Sequence, residues 1–355
     1  MNRIERLRQE VGLKQGQGLL IHKPSNIFYL SGFTGEGQLL ITANEAAVMT
    51  DFRYTEQAER QAPGLQLYEV SSGRGYNRYT KELMEKWGVS ALRYESDYVT
   101  VEQFDRMREA MPDFSFAPMK GEPEKLRRVK DEKEADAIRK ACDISCQAFQ
   151  YIIGEIKEGM TEKEIQLKLD YKMLELGGQG LAFNTIVASG ENGSLPHAVP
   201  GERRVQKGDL ITMDFGARYG GYCADMTRTV ALGKPSDKLK EIYNIVLEAH
   251  LAAEKALHPG KKCSAIDSIA RDYIAQKGYG KFFGHGLGHG VGIDIHEMPR
   301  LSQMCDETLA VGHVVTVEPG IYVAGLGGVR IENSCLITET GAESFVYAPR
   351  ELLIL

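Results

Sequence analysis

The chain has no paired-cysteine spacing. Its six cysteines (142, 146, 223, 263, 305 and 335) include no Cys-x-x-Cys and no framework pattern. That excludes a disulfide-stapled scaffold and a thiolate zinc site, and it reads as reduced thiols. Cys142 and Cys146 lie one helical turn apart and are expected to be small buried hydrophobes. A net positive charge is lacking: the net charge is −6, the pI is near 5.9, and no basic run exceeds Arg127-Arg-Val-Lys130. Nucleic acid is therefore not an expected partner. No apolar stretch approaches the roughly 18–20 residues of a membrane span. The opening segment, residues 1–10, is charged and helical in pattern, without the apolar core of a signal peptide. A cytoplasmic protein with no membrane partner is expected.

What is present is enough chain for two cores, since 355 residues exceed the usual single-domain size. Before residue 120, strand-like runs at 18–21, 38–42 and 46–50 alternate with helical candidates at 54–61 and 77–87, the pattern of a small α/β domain. Pro118-Met-Lys-Gly-Glu-Pro123 breaks the periodicity, and the boundary is placed between 1–124 and 125–355. The charged run 124–133 is expected to be a solvated linker leading into a helix that ends near 156. Thr161-Glu-Lys-Glu164 is a capping box opening a helix that Gly177-Gly178 stops. Further helices are predicted over 237–256 and 264–277, flanking mostly antiparallel strands.

Glycine-flanked acids and histidines dominate the second half. A two-residue turn at Tyr219-Gly220 would set Asp214 directly opposite Asp225, on one face of a hairpin, with Cβ atoms roughly 4.5–5.5 Å apart. Ionised carboxylates on such apolar strands are costly without a cation or donors. A solvent-facing Asp paired with a turn-capping Asp is the plainer alternative for any one hairpin. Downstream, Gly284-His-Gly-Leu-Gly-His-Gly-Val-Gly-Ile-Asp-Ile-His-Glu297 supplies His285, His289 and His296; its glycines make a helix improbable and suit an extended segment. Val314-Val-Thr-Val-Glu318 ends a strand on a carboxylate, and Gly327-Gly-Val-Arg-Ile-Glu332 puts Arg330 and Glu332 on one face of another. Four carboxylates and one imidazole form an oxygen-rich set suited to Mn²⁺, Co²⁺ or Fe²⁺ at least as well as Zn²⁺.

From about residue 125 onward the chain resembles the pita-bread metallopeptidases, the group of methionine aminopeptidase, aminopeptidase P and prolidase. The resemblance rests on Leu195-Pro-His197, Met213-Asp-Phe-Gly216, Ala224-Asp-Met-Thr-Arg-Thr229, His285-Gly-Leu-Gly-His289, Ile295-His-Glu297, Val317-Glu-Pro-Gly320 and Gly328-Val-Arg-Ile-Glu332. It implies an α+β fold, a pita-bread (creatinase/aminopeptidase-like) catalytic domain with a smaller N-terminal α/β domain. It further implies two divalent metal ions, Mn²⁺ first, with Asp214 on one, Asp225 and Glu332 bridging, and His289 with Glu318 on the other. Catalytic roles follow for Glu318, His197 and His296, and substrate contacts for His285, His296, Arg300 and Arg330. The implied reaction is hydrolysis of the Xaa-Pro bond by a metal-bridging hydroxide. It implies small peptides with proline in second place as substrates, and a homodimer is expected.

Prolidase, a dipeptidase, is favoured over aminopeptidase P, with Arg300 after Pro299 as the clamp for a free carboxylate. Asn26 departs from the aspartate of larger aminopeptidase P enzymes. A non-catalytic, protein-binding pita-bread module is the alternative of another class, disfavoured because all five ligand positions are filled.

Overall fold

The computed structural model describes residues 2–355, which divide into two compact units, one ending at Arg127 and the other starting at Arg128. In the first unit a six-stranded mixed sheet has the order β4-β3-β2-β1-β5-β6. Its strands are β1 (Gln17–Ile21), β2 (Gln38–Thr42), β3 (Ala46–Asp51), β4 (Gln66–Val70), β5 (Ala91–Glu95) and β6 (Ser115–Met119). The helices are α1 (Arg3–Glu10), α2 (Pro24–Ser31), α3 (Thr55–Gln61), α4 (Tyr76–Lys86), α5 (Val101–Ala110) and α6 (Glu122–Arg128). Strands β1 to β3 are buried along nearly their whole length, so they are continuous apolar runs rather than alternating ones. Helix α2 starts with Pro24 at its first turn and stops at Gly32, in the left-handed region at φ 81°. Its Asn26 is fully buried, donating to Glu95 (2.6 Å) and Glu124 (2.7 Å) and accepting from Arg127 (2.8 Å). Here the residue ties α2 to β5 and α6.

The second unit begins with α7 (Glu132–Glu155) and α8 (Glu162–Glu175), each opened by a complete capping box: Asp131 with Glu134, and Thr161 with Glu164. Cys142 and Cys146 are both buried on α7, as small hydrophobes would be. Strands β7 (Gly180–Leu181), β8 (Ile186–Ser189), β9 (Leu210–Phe215), β10 (Ala217–Tyr219), β11 (Tyr222–Cys223) and β12 (Met226–Ala231) follow. They form two three-stranded sheets ordered β12-β9-β8 and β11-β10-β7. Two more helices, α9 (Asp237–Lys255) and α10 (Cys263–Gln276), precede β13 (Gly288–Gly290), β14 (Glu297–Leu301), β15 (Val314–Val317), β16 (Gly320–Val323), β17 (Gly327–Arg330), β18 (Asn333–Thr338) and β19 (Gly341–Ser344). These give a five-stranded sheet, β14-β13-β15-β18-β19, and the ribbon β16-β17. One core lies where Ile242, Val246, Ala249, Ile266, Ala270 and Ile274 of α9 and α10 cover Val315, Val317, Cys335 and Ile337.

The charged run 124–133 is not a solvated linker. It holds the end of α6, an isolated bridge from Val129 to His313, and a buried ion pair from Lys130 Nζ to Glu297 Oε2 at 3.0 Å. A lysine at this depth needs its carboxylate, and the long-range partner could not be read from local composition.

Candidate metal centre

The hairpin carrying two of the acids turns one residue later than predicted. Tyr219 pairs with Tyr222 and Asp214 with Thr227, so the turn is Gly220-Gly221, both at positive φ (59° and 83°). A turn with two left-handed positions selects glycine, and Tyr219 is excluded from it. Asp225 is therefore not directly opposite Asp214 but two residues before its partner. The shift is even, so both acids keep to one face. The other groups arrive from chain breaks: Glu318 between β15 and β16, and Glu332 between β17 and β18 rather than within a single strand. At each break the chain leaves one sheet for another.

These residues converge. One ligand atom each from Asp225, His289 and Glu332 lies within 4.8 Å of the others. His289 Nε2 is 3.4 Å from Asp225 Oδ2 and 3.3 Å from Glu318 Oε1. The His289 ring is oriented by Nδ1–H donating to the Gly290 carbonyl at 3.1 Å, which leaves the Nε2 lone pair facing the carboxylates. Asp214 accepts from Arg330 through Oδ2 at 2.7 Å, while its Oδ1 is buried without a hydrogen-bond partner. Burial pushes the Asp214, Asp225 and Glu332 carboxyls up; for Asp225 the next cause is repulsion from Glu332 and for Glu332 repulsion from Glu318. Glu318 is also pushed up by burial, its largest single influence, but the His289 hydrogen bond and charge together with His285 and Arg330 more than offset this and hold it at about 2. Crowded anions, one orphaned carboxylate oxygen and an inward-facing imidazole nitrogen are the donor set of a divalent cation site. All five residues fit that role.

Around the acids lies a cavity of about 820 Å³ lined also by His197, His285, His296, Arg300, Tyr322, Phe183 and Ile295. His285 Nδ1–H donates to Gly286 O (2.8 Å), so Nε2 accepts from Tyr322 Oη at 2.9 Å. Tyr322 Oη in turn accepts from Arg330 Nη1 at 2.9 Å. Burial lowers the His285 pKa and raises that of Tyr322 to about 12, so both are neutral near pH 7. His296 stands edge-on to His289 with ring centroids 4.4 Å apart, and burial, with His289 and Arg300 nearby, lowers it to about 4. Arg330 is buried and committed to Asp214, Tyr322 and, through Nε, Thr227 at 3.1 Å. Arg300 is on strand β14, paired with His289; it is exposed and has no carboxylate partner among the described residues.

Residues 136–339 match metallopeptidase family M24, and residues 3–129 match the creatinase/prolidase N-terminal domain. The chain belongs to metallopeptidase family M24. An Xaa-Pro dipeptidase of Pyrococcus furiosus is 38% identical over 99% of both chains. Among solved structures, an Xaa-Pro dipeptidase from Bacillus anthracis superposes with a TM-score of 0.95 at 42% identity, covering 99% of each chain. An X-Pro aminopeptidase from Thermotoga maritima superposes at 0.92 and 39% identity, over 99% of this chain and 100% of that one. The pita-bread catalytic fold with a smaller α/β domain, expected from the motifs, is thus the fold of this M24 metallo-exopeptidase.

Several site residues escaped the sequence reading. Tyr322 was passed over because a strand tyrosine is ordinary. Thr316 was missed although its hydroxyl accepts from the His289 backbone (3.0 Å) and donates to Glu318 (3.2 Å). Arg228 is buried and donates to the Glu332 carbonyl at 2.6 Å, bracing the backbone that carries this acid. The period-2 alternation around Thr227 and Thr229 places Arg228 on the opposite face from the acids, which was the available signal.

Proposed function

We propose that this chain is an Xaa-Pro dipeptidase in which Asp214, Asp225, His289, Glu318 and Glu332 hold two divalent cations, Mn²⁺ first, with Co²⁺, Fe²⁺ and Zn²⁺ as alternatives. When bound, such cations lower the pKa of a water and polarise a carbonyl. Glu318 takes the proton of the attacking water. His197, on the cavity wall, donates a proton to the departing proline nitrogen. His296 flanks the scissile carbonyl as a hydrogen-bonding group, and His285, neutral and engaged through both ring nitrogens by Gly286 and Tyr322, shapes the pocket beside it. Arg330 holds Asp214 in place. Phe183 and Ile295 offer apolar surface to the proline ring.

The observation that carries the dipeptide preference is Arg300. A guanidinium that lines the cavity with no carboxylate of its own is suited to the free carboxylate one residue beyond the cut. The likeness to the Thermotoga maritima X-Pro aminopeptidase supports the second reading, an aminopeptidase acting on longer chains. A cytoplasmic homodimer acting on small proline-containing peptides completes the proposal.

The test is a rate comparison on an Xaa-Pro dipeptide and an Xaa-Pro-Yaa tripeptide, using chelated enzyme reloaded with Mn²⁺, Co²⁺ or Zn²⁺. The dipeptide should be preferred, and Arg300→Ala should raise KM for it by about 10-fold or more, in line with roughly 1.5–3 kcal/mol for a hydrogen bond to a charged group. The tripeptide should be little affected. Brisk tripeptide cleavage with equal Arg300→Ala effects on both substrates selects the aminopeptidase.

A further inference from the structure

The His197 imidazole makes no side-chain hydrogen bond among the described residues, and it is exposed on the cavity wall. Its position must come from the backbone of its loop. That loop, residues 189–201, is held at both ends by one buried carboxylate, that of Glu162 at the first position of α8. Glu162 Oε1 accepts from Ser189 N (2.7 Å), Ser189 Oγ (2.8 Å) and Asn192 Nδ2 (3.1 Å) at the loop's entry. Oε2 accepts from Asn192 Nδ2 (3.2 Å) and, at the exit, from Gly201 N (3.3 Å). The helix start is stitched to the same exit by Glu162 N to Arg203 O (3.0 Å) and Lys163 N to Gly201 O (3.1 Å). The charge is compensated through Ser189 Oγ, which accepts from Arg203 Nη1 at 2.6 Å, and Arg203 is paired in turn with Asp209.

Between these anchors the 3₁₀ turn Gly190–Ser194 rests against β17. A Cβ on Gly328 would lie 2.1 Å from the Gly193 carbonyl, and one on Gly327 would lie 2.7 Å from that of Gly190. The loop is therefore fixed below by close backbone contact with the strand that ends on Arg330, and laterally by Glu162. Arg203 also reaches the entry through Ser189 Oγ, and Arg330 Nη1 lies 3.5 Å from the Pro196 carbonyl, but Glu162 is the group that bonds residues 189, 192 and 201 together.

We infer that Glu162 is a positioning residue for the proton donor: by clamping residues 189, 192 and 201 it holds the His197 ring at its place on the cavity wall. This rests on the reading of His197 given above. A buried anion at a helix N-terminus that satisfies several donors has little freedom to relax. In Glu162→Gln the amide presents donors toward donors, so part of the clamp opens. Misplacement of a catalytic group by about 1 Å can cost on the order of 100-fold in rate.

The experiment is a double-mutant cycle on the Mn²⁺-loaded enzyme with an Xaa-Pro dipeptide. Glu162→Gln should lower kcat by roughly 10- to 100-fold, change KM less than about 3-fold, and leave metal stoichiometry unaltered. In a His197→Ala background the same substitution should cost less than about 2-fold, because the group it positions is gone. Equal losses in both backgrounds, or loss of bound metal in Glu162→Gln, overturn the inference. If His197→Ala alone keeps full kcat, the reading of His197 fails instead. Should Glu162→Gln not fold, Asn192→Ala and Ser189→Ala carry the same cycle, each opening one arm of the clamp and each expected to lose its effect when His197 is absent.

Discussion

Asp225 and Glu332 are placed where a carboxylate charge is hardest to keep, buried, facing other acids, and with few donors: Glu332 has Thr227 Oγ1 at 2.6 Å. Two consequences separate a ligand from a merely buried acid. Asp225→Asn or Glu332→Gln should abolish peptidase activity and the rise in thermal midpoint on adding Mn²⁺. Either variant should also be at least as stable as wild type when both are metal-free, since a repelling charge has been removed. Full Mn²⁺ stabilisation in either variant would refute the ligand assignment. His197→Ala should reduce kcat by roughly 10²–10⁴-fold with unchanged metal content, the range for a general acid. Tyr322→Phe leaves Arg330 and His285 each without one partner. It should lower kcat/KM by about 5- to 30-fold, corresponding to about 1–2 kcal/mol, and wild-type rates in that variant would remove Tyr322 from the site.

At the scale of elements, the glycine-rich segment before His289 is not uniformly flexible. Gly288 lies between β14 and β15, and a Cβ there would meet the Thr316 carbonyl at 2.0 Å, whereas one on Gly284 would meet nothing within 4 Å. Gly288→Ala should push β13 away from β15, carry His289 with it and weaken Mn²⁺ binding by 10-fold or more, while Gly284→Ala should be close to silent. Titration of metal into chelated protein, followed by calorimetry, distinguishes them; a silent Gly288→Ala would mean that the sheet yields. The same scale explains the register of the acid-bearing hairpin. Apolar alternation specified the face of each strand, but the turn position depended on which neighbours of Tyr219 could adopt positive φ, and two adjacent glycines fitted that need better than one.

For the whole molecule, pH dependence offers a test away from the acids. His313 is buried, its Nδ1 accepts from Ala310 N at 3.2 Å, and burial together with Lys130 and Arg128 lowers its pKa to about 4. A base whose pKa is depressed on folding contributes stability that is present above its ordinary value of 6.5 and lost as pH falls toward 4. Between pH 7 and pH 5 the wild type should therefore lose about 2 kcal/mol more than His313→Asn, which keeps an acceptor but does not titrate. Urea unfolding at the two pH values measures the difference. Parallel losses would show that His313 is not neutral by constraint.

Local chemistry in the sequence determined the helices α7 to α10 nearly to the residue: capping boxes open α7 and α8, and Gly177, Gly260 and Gly278 lie just past the ends of α8, α9 and α10, signals that act within a turn or two of the groups they satisfy. It also determined which acids and histidines could bear the chemistry, since their spacing within short apolar strands is a property of the chain alone. Tertiary structure decided what those residues do to one another. Arg330, read as a substrate contact, is engaged with Asp214 across 116 positions, and Lys130 with Glu297 across 167. Arg300 was set on a strand beside His289, and Glu162, which reads as one more acid in a capping box, was set between the two ends of the His197 loop. Ion pairs and hydrogen bonds depend on distance and burial, and for residues so far apart both are properties of the folded chain rather than of any window along it.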